Sequence, residues 1–299
     1  MTFDLVLIYH DNPMALDRFF ARLYQQTDFL SFGDRANFLI CDTGTPREKL
    51  TATLEVCRRW QSRKRPILVR AETTAIRQSF PPDVDVRTVP LAANIAVLDV
   101  SKADVVVHAI LSNLFVPAYF TEVMALHAQD PRLFVQPFQY RLVIADGQDS
   151  DTVRPLGETL AAGKMEPAGG LPDFSVRREH IAAIGGWDEE FLPWGMCDID
   201  LCSRLTGKID LGVPAEQWHQ GWCGRPKEPY QNYGLTFVRP LKPDFCSLIS
   251  HEYIGRAPQN SIGRQNALRF TLKRYVDMWS VVQRNAIRRS VNYEVYREF

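Results

Sequence analysis

The 299-residue sequence lacks net charge, since 35 lysines and arginines balance 35 aspartates and glutamates. Without an overall field the chain has no general pull on polyanions, so no nucleic-acid partner is expected. None of its six cysteines (Cys41, Cys57, Cys197, Cys202, Cys223, Cys246) stands in a CxxC pair or other paired spacing. That argues against a disulfide frame or a zinc knot and leaves reduced thiols, as in a cytoplasmic protein. The opening stretch MTFDLVLIYHDNP has no basic lead-in. Its apolar run is too short for a signal peptide or a membrane span, and no later stretch reaches spanning length. No Gly-x-Gly-x-x-Gly follows that run, which disfavours a dinucleotide-dependent dehydrogenase. Internal repeats and low-complexity tracts are missing too.

What is present is an ordinary globular composition, 45% hydrophobic and 23% charged. A chain of this length buries roughly three quarters of its unfolded surface, enough for a core without covalent staples. The run 3–9 (FDLVLIY) reads as a strand buried on both faces. After Asn12 as N-cap, Met14, Leu16, Phe19, Phe20 and Leu23 recur at helical spacing up to Gln26. A strand at 37–41 (NFLIC), a helix from Arg47 to about Arg63 and a short strand at 67–70 follow. Such alternation predicts right-handed crossovers and a mostly parallel sheet flanked by helices. Further on, a small-residue helix is expected over 91–100, a strand over 104–111 and a helix opened by Pro117 and running to about Ala128. Strands are expected at 133–136 and 141–144, then a polar excursion over 146–166.

The segment with most chemical content is Gly185-Gly186-Trp187-Asp188-Glu189-Glu190-Phe191, followed by Trp194-Gly195-Met196-Cys197-Asp198-Ile199-Asp200-Leu201 and Arg204. It reads as a glycine turn, an acidic loop, an aromatic wall and a helix start that carries carboxylates. A helix N-terminus keeps Asp198 ionised and ready to take a proton, and Trp194 offers a flat face of the kind that stacks on a sugar ring. Taken singly, each reads as structural before it reads as catalytic, Asp198 as a helix cap and Trp194 as core.

Taken together, the string resembles the acceptor-site motif of inverting GT-A glycosyltransferases, both glycosyltransferase family 2 and the C-terminal region of the β-1,4-galactosyltransferase group. There the pattern is GGFDE, several residues, then WGxEDxD and an Arg. The resemblance implies a Rossmann-like GT-A fold and transfer of a hexosyl group from a nucleotide-sugar with inversion, as in polysaccharide biosynthesis. Asp198 falls on the general base, and Trp194, Gly195 and Asp200 fall on the acceptor side. Asp173, in the strand before the motif, joins them. Cys197 replaces an acidic residue, so the acceptor preference does not carry over.

The likeness spans roughly residues 3–235. Tyr9 and His10 match the first strand-loop along the nucleotide, and Asp42 in Cys41-Asp42-Thr43-Gly44-Thr45 matches the turn that recognises base or ribose. Asn94 matches an asparagine beside the diphosphate. Where the family carries its metal-binding Asp-x-Asp, this chain has Leu111-Ser112-Asn113. Leu111 cannot bind a cation and Asn113 offers a neutral oxygen, so Ser112 and Asn113 stand as donor contacts. Asn113 with His219 is the candidate set for Mn²⁺ or Mg²⁺, and Arg225 or Lys227 is the alternative for neutralising the diphosphate. The transferase reading requires Asp198 to face a cleft shared with the Asp42 turn.

These readings divide the chain into a catalytic domain over 1–250, with a nucleotide-sugar half (1–117) and an acceptor half (118–250), and an amphipathic, basic helical appendage over 251–299. The expected partners are a UDP- or GDP-sugar and a glycan or lipid-linked acceptor. The appendage suits packing on the domain, a homodimer contact or the inner face of a membrane. The rival reading is a GT-A scaffold that binds nucleotide-sugar or glycan without catalysis, motivated by the lost acidic triplet.

Overall fold

The computed structural model describes residues 1–80, 87–142, 165–167, 173–192, 197–207, 232–240, 246–250, 285 and 292–299. Twelve strands are assigned among them: β1 (Phe3–Tyr9), β2 (Ala36–Asp42), β3 (Pro66–Ala71), β4 (Val105–Ile110), β5 (Asn113–Phe115), β6 (Leu133–Val135), β7 (Phe138–Leu142), β8 (Met165–Pro167), β9 (Phe174–Arg177), β10 (Thr236–Val238), β11 (Cys246–Ser250) and β12 (Tyr293–Tyr296). The α-helices are α1 (Pro13–Gln26), α2 (Arg47–Trp60), α3 (Thr74–Gln78), α4 (Val89–Asn94), α5 (Tyr119–Gln129), α6 (Arg178–Ala183) and α7 (Cys197–Thr206).

Eight strands form the central sheet in the order β10-β6-β9-β4-β1-β2-β3-β12, and β5-β11-β7-β8 form a second, smaller sheet. The pairs β2–β1, β1–β4, β2–β3 and β6–β10 are parallel, whereas β9 and β12 run antiparallel to their neighbours. The chain steps outward from β1 to β3 and then returns to β4 on the other side of β1. This reversal of strand order falls between β1 and β4, and the carboxyl ends of those strands are the usual place for a ligand in an open α/β sheet.

Alternation along the strands builds two cores, one on each face. Phe3, Leu5, Leu7 and Tyr9 of β1 pack with α1, α2 and α5, while Val6, Leu39 and Val106 pack with α4, Trp187 and the apolar side of α7. The first core is rich in aromatics, with Phe3 stacked on Phe120 at 5.4 Å and edge-on to Phe29 at 5.8 Å. Helix α1 starts as its sequence predicts: Asn12 accepts from the Ala15 N–H at 3.0 Å, Pro13 opens the first turn, and Leu16, Phe19, Phe20 and Leu23 are buried.

Several elements differ from the sequence reading. The helix expected over 91–100 is split, with α4 ending at Asn94 and a π-helical turn over Ile95–Val100 marked by the Ser101 N–H to Ala96 carbonyl bond at 2.8 Å. The helix after Pro117 begins at Tyr119, because Asp28 supplies its cap from far away in sequence. Its two carboxylate oxygens accept from the N–H groups of Phe120 and Thr121 at 3.2 and 2.7 Å. The strand expected at 141–144 lies at Phe138–Leu142. Residues 293–296, expected within the helical appendage, form β12 on the edge of the main sheet beside β3. The amphipathic stretch 264–288 lies outside the described residues apart from Asn285. Among the described residues no helix is long and apolar enough to cross a membrane.

Candidate functional site

The loop Gly185–Glu190 is clamped from three directions. Gly185 and Gly186 hold φ of 76° and 81°, a region that favours glycine. A Cβ on Gly186 would meet the Asn94 side-chain oxygen at 2.0 Å, so the close approach of α4 also demands glycine. Asn94 accepts from the Trp187 N–H at 2.8 Å and donates at 2.9 Å to both the Trp187 carbonyl and the Glu189 carboxylate. Arg204, buried on α7, is paired with Asp200 at 2.8 Å and donates to the carbonyls of Ile184 and Gly186 at 3.2 and 2.7 Å. Asn285 donates at 2.7 Å to the carbonyls of Gly185 and Trp187.

This clamp sets the Trp187 ring, which is fully buried, against α7. Its indole Nε1–H donates to Asp198 Oδ1 at 2.9 Å. His108 on β4 stacks on Phe174 at 4.7 Å and brings Nε2 within 3.8 Å of the same oxygen. Asp198 stands in the first turn of α7 and its side chain is 24% exposed. Among the described residues Oδ2 has no partner. Next to it, burial first and then the Asp198 charge push the Cys197 thiol well above its ordinary value. Cys197 therefore stays neutral, and Asp198 is spared the like-charge neighbour that the family motif places there.

The Asp42 turn is built differently. Tyr9, Asp42, Arg70 and Glu294 lie opposite one another across β1, β2, β3 and β12. In-register residues share a sheet face, and here it is the face covered by α2: the Tyr9 hydroxyl meets Thr53 Oγ1 at 2.6 Å, and Arg47 pairs with Glu294 at 3.0 Å. Burial raises the Tyr9 phenol above its ordinary value. Asp42 Oδ1 accepts from the N–H groups of Gly44 and Thr45 at 3.1 and 2.8 Å, and Oδ2 lies 3.5 Å from Arg70 Nε. Arg70 in turn reaches Glu294 at 3.4 Å and the Thr45 carbonyl at 3.3 Å.

Asp42 and Asp198 thus lie on opposite faces of the sheet, and Asp42 is fully buried. The expected cleft shared by Asp198 and the Asp42 carboxylate is therefore not formed, and only the remainder of the turn is left to meet that requirement. What the turn offers toward the α4 face is Thr43, whose hydroxyl meets His10 Nδ1 at 3.2 Å and whose carbonyl accepts from the Thr88 N–H at 3.1 Å, just ahead of α4. Beside it Asp11 takes a left-handed φ of 37°, fixed by its N–H to Thr45 Oγ1 and by Lys49 at 2.6 Å.

Of the sequence-predicted residues that are described, His10 and Asp198 keep exposed surface; Tyr9, Asp42, Asn94, Ser112, Asn113, Asp173 and Asp200 are all buried. Burial redirects several of them. Asn94, expected beside a diphosphate, spends its amide on the Trp187 loop, and Asp200, expected beside the acceptor, holds Arg204. Asp173 accepts from the Gln139 side chain. Asn113 Oδ1 accepts from the Ile110 N–H at 2.7 Å, closing the turn after β4, while the buried Ser112 hydroxyl has no hydrogen-bond partner among the described residues. Trp194, Gly195, His219, Arg225 and Lys227 lie outside the described residues. His108 was assigned nothing in the sequence, because a lone histidine in an apolar strand carries no motif.

The described residues do not fit a divalent cation. The 111–113 triplet has no carboxylate, the Asn113 oxygen is engaged, and no cluster of three or more His, Cys, Asp or Glu side chains suited to a metal occurs among them.

No family model matches the sequence, and no curated protein matches it in sequence. The fold does have relatives among solved structures. GalNAc-T7, solved with UDP, GalNAc and Mn²⁺, superposes with a TM-score of 0.55 at 12% identity, over 96% of this chain and 55% of that one. The chain therefore spans about half the length of the GalNAc-T7 chain. The mannosyltransferase PcManGT from Pyrobaculum calidifontis, in complex with GDP-Man and Mn²⁺, gives 0.48 at 13% identity, over 95% of this chain and 73% of that one. TarS of S. aureus gives 0.43 at 9% identity, over 67% of this chain and 32% of that one. The last two are too distant to carry an argument. The fold is α/β with a mixed, mostly parallel eight-stranded sheet flanked by helices, and it is GT-A-like.

Proposed function

We propose that the chain is a nucleotide-sugar-dependent glycosyltransferase that passes a hexosyl group to a glycan or lipid-linked hydroxyl with inversion. The observation that carries this reading is Asp198, a partly exposed carboxylate at a helix start with one oxygen held and the other without a partner among the described residues. A general base needs a charged carboxylate within reach of the hydroxyl and an oxygen not already committed. In the single displacement, the acceptor oxygen attacks the anomeric carbon as Asp198 takes its proton, and the bond to the nucleoside diphosphate breaks on the opposite side.

The donor belongs by the carboxyl ends of β1 and β4, beside His10, which keeps exposed surface, and near the buried Ser112 hydroxyl. GalNAc-T7 is described with UDP and Mn²⁺, and a UDP- or GDP-sugar is the donor class to test first.

Transfer from a panel of UDP- and GDP-sugars, with and without Mn²⁺, tests the reading. Asp198→Asn is expected to lower kcat by roughly a hundred- to ten-thousand-fold while leaving donor affinity within a few-fold. Wild-type turnover by that variant removes Asp198 from its role. The missing acidic triplet favours one second reading, a scaffold that binds donor without turning it over. Donor binding with no transfer to any acceptor supports that alternative.

A further inference from the structure

We infer that Trp187 is the positioning device for the base: its indole N–H fixes Oδ1 of Asp198 against the protein and leaves Oδ2 as the oxygen presented to the acceptor, with the His108 ring packed beside the indole. The inference rests on the proposed transferase reading and names which residues tune its base.

Three observations meet here. The indole N–H and the His108 imidazole approach the same oxygen, at 2.9 and 3.8 Å, from one side. A carboxylate held through one oxygen loses rotation about its last bond, so the other oxygen keeps a set direction. The indole itself cannot drift, since the Trp187 backbone is fixed by Asn94 and Asn285 and its ring leans on His108 at 5.8 Å and Phe174 at 6.2 Å. Phenylalanine would fill the same apolar space but carries no N–H.

The clean test is therefore Trp187→Phe, which keeps an aromatic ring and removes the donor. The expected result is a fall in kcat of roughly ten- to hundred-fold, the size of one lost hydrogen bond to a charged group, with the donor KM unchanged within about two-fold. His108→Phe, which keeps the stack on Phe174, is expected to lower kcat less. A second readout needs no turnover. In ¹⁵N-tryptophan-labelled full-length protein, the resonance missing from Trp187→Phe identifies the indole N–H, and it is expected to shift when Asp198 becomes Asn. A wild-type kcat for Trp187→Phe overturns the inference, and so does an indole resonance indifferent to Asp198→Asn. If the native chain transfers no sugar, the transferase reading fails on its own, and the resonance still decides whether Trp187 holds Asp198.

Discussion

Asp42, at the end of β2, and Asp198, in the first turn of α7, are both carboxylates beside one sheet, yet they occupy opposite faces and opposite kinds of surroundings. Asp42 is sealed, caps its own turn through one oxygen and faces a guanidinium with the other. Asp198 keeps a water-facing edge and is supported by an indole N–H instead of a full charge. The turn N–H groups and Arg70 spend the first inside the fold. The lighter support of the second leaves one oxygen without a partner among the described residues, which is what its proposed role uses. Motif matching gave both residues functional roles; burial separates them.

The comparison breaks most readily on a pair of substitutions. Asp42→Ala removes a turn cap and leaves Arg70 with only the half-exposed Glu294 and the Thr45 carbonyl, and it is expected to cost about 3–5 kcal/mol of stability, as removal of one partner from a buried pair does. Asp198→Asn, despite its large expected effect on turnover, is expected to change stability by less than about 1 kcal/mol. Urea unfolding of both variants checks the contrast, and equal destabilisation would erase it.

A buried histidine sharpens the same point with pH. His127 is fully buried, with Nε2 2.9 Å from Ser175 Oγ, and burial, then nearby Arg177, push its pKa down to about 4 from 6.5. The unfolded chain takes up this proton first on acidification. The stability linked to it is therefore complete above about pH 6.5 and is lost as pH falls toward 4. The expected loss is about 2 kcal/mol between about pH 7 and about pH 4.5. His127→Gln is expected to flatten that part of the profile, measured by urea midpoints across the range. The smallest effect belongs to the outer end of the Asp42 row. Glu294 is 42% exposed on β12, so Glu294→Gln is expected to shift stability by less than about 1 kcal/mol, and a larger change in the melting curve would mean that β12 governs the turn.

Much of this architecture was legible locally. The apolar run of β1, the Asn12 cap with its helical stripe and the Gly-Gly turn before Trp187 each follow from residue type and spacing, because strand burial, helix capping and positive φ are short-range requirements. The indole donor of Trp187 was not, since only the fold brings its N–H to Asp198. Nor was His108, since its meaning depends on a helix start ninety residues later. Neither was the Asp28 cap on α5, nor the strand near the C-terminus that carries Glu294 to Arg70.

The sequence by itself determined the alternating α/β order, the mostly parallel sheet and the loop that holds Asp198, all of which depend on periodicity and on backbone preferences a few residues wide. Only the tertiary structure decided which polar side chains face inward. Asn94, Asp200 and Asp42 are committed to buried partners because each unpaired polar group inside a core is costly: Asn94 meets Trp187 and Glu189, Asp42 meets Arg70, and Asp200, though paired within its own helix, holds the Arg204 that reaches back to Ile184 and Gly186.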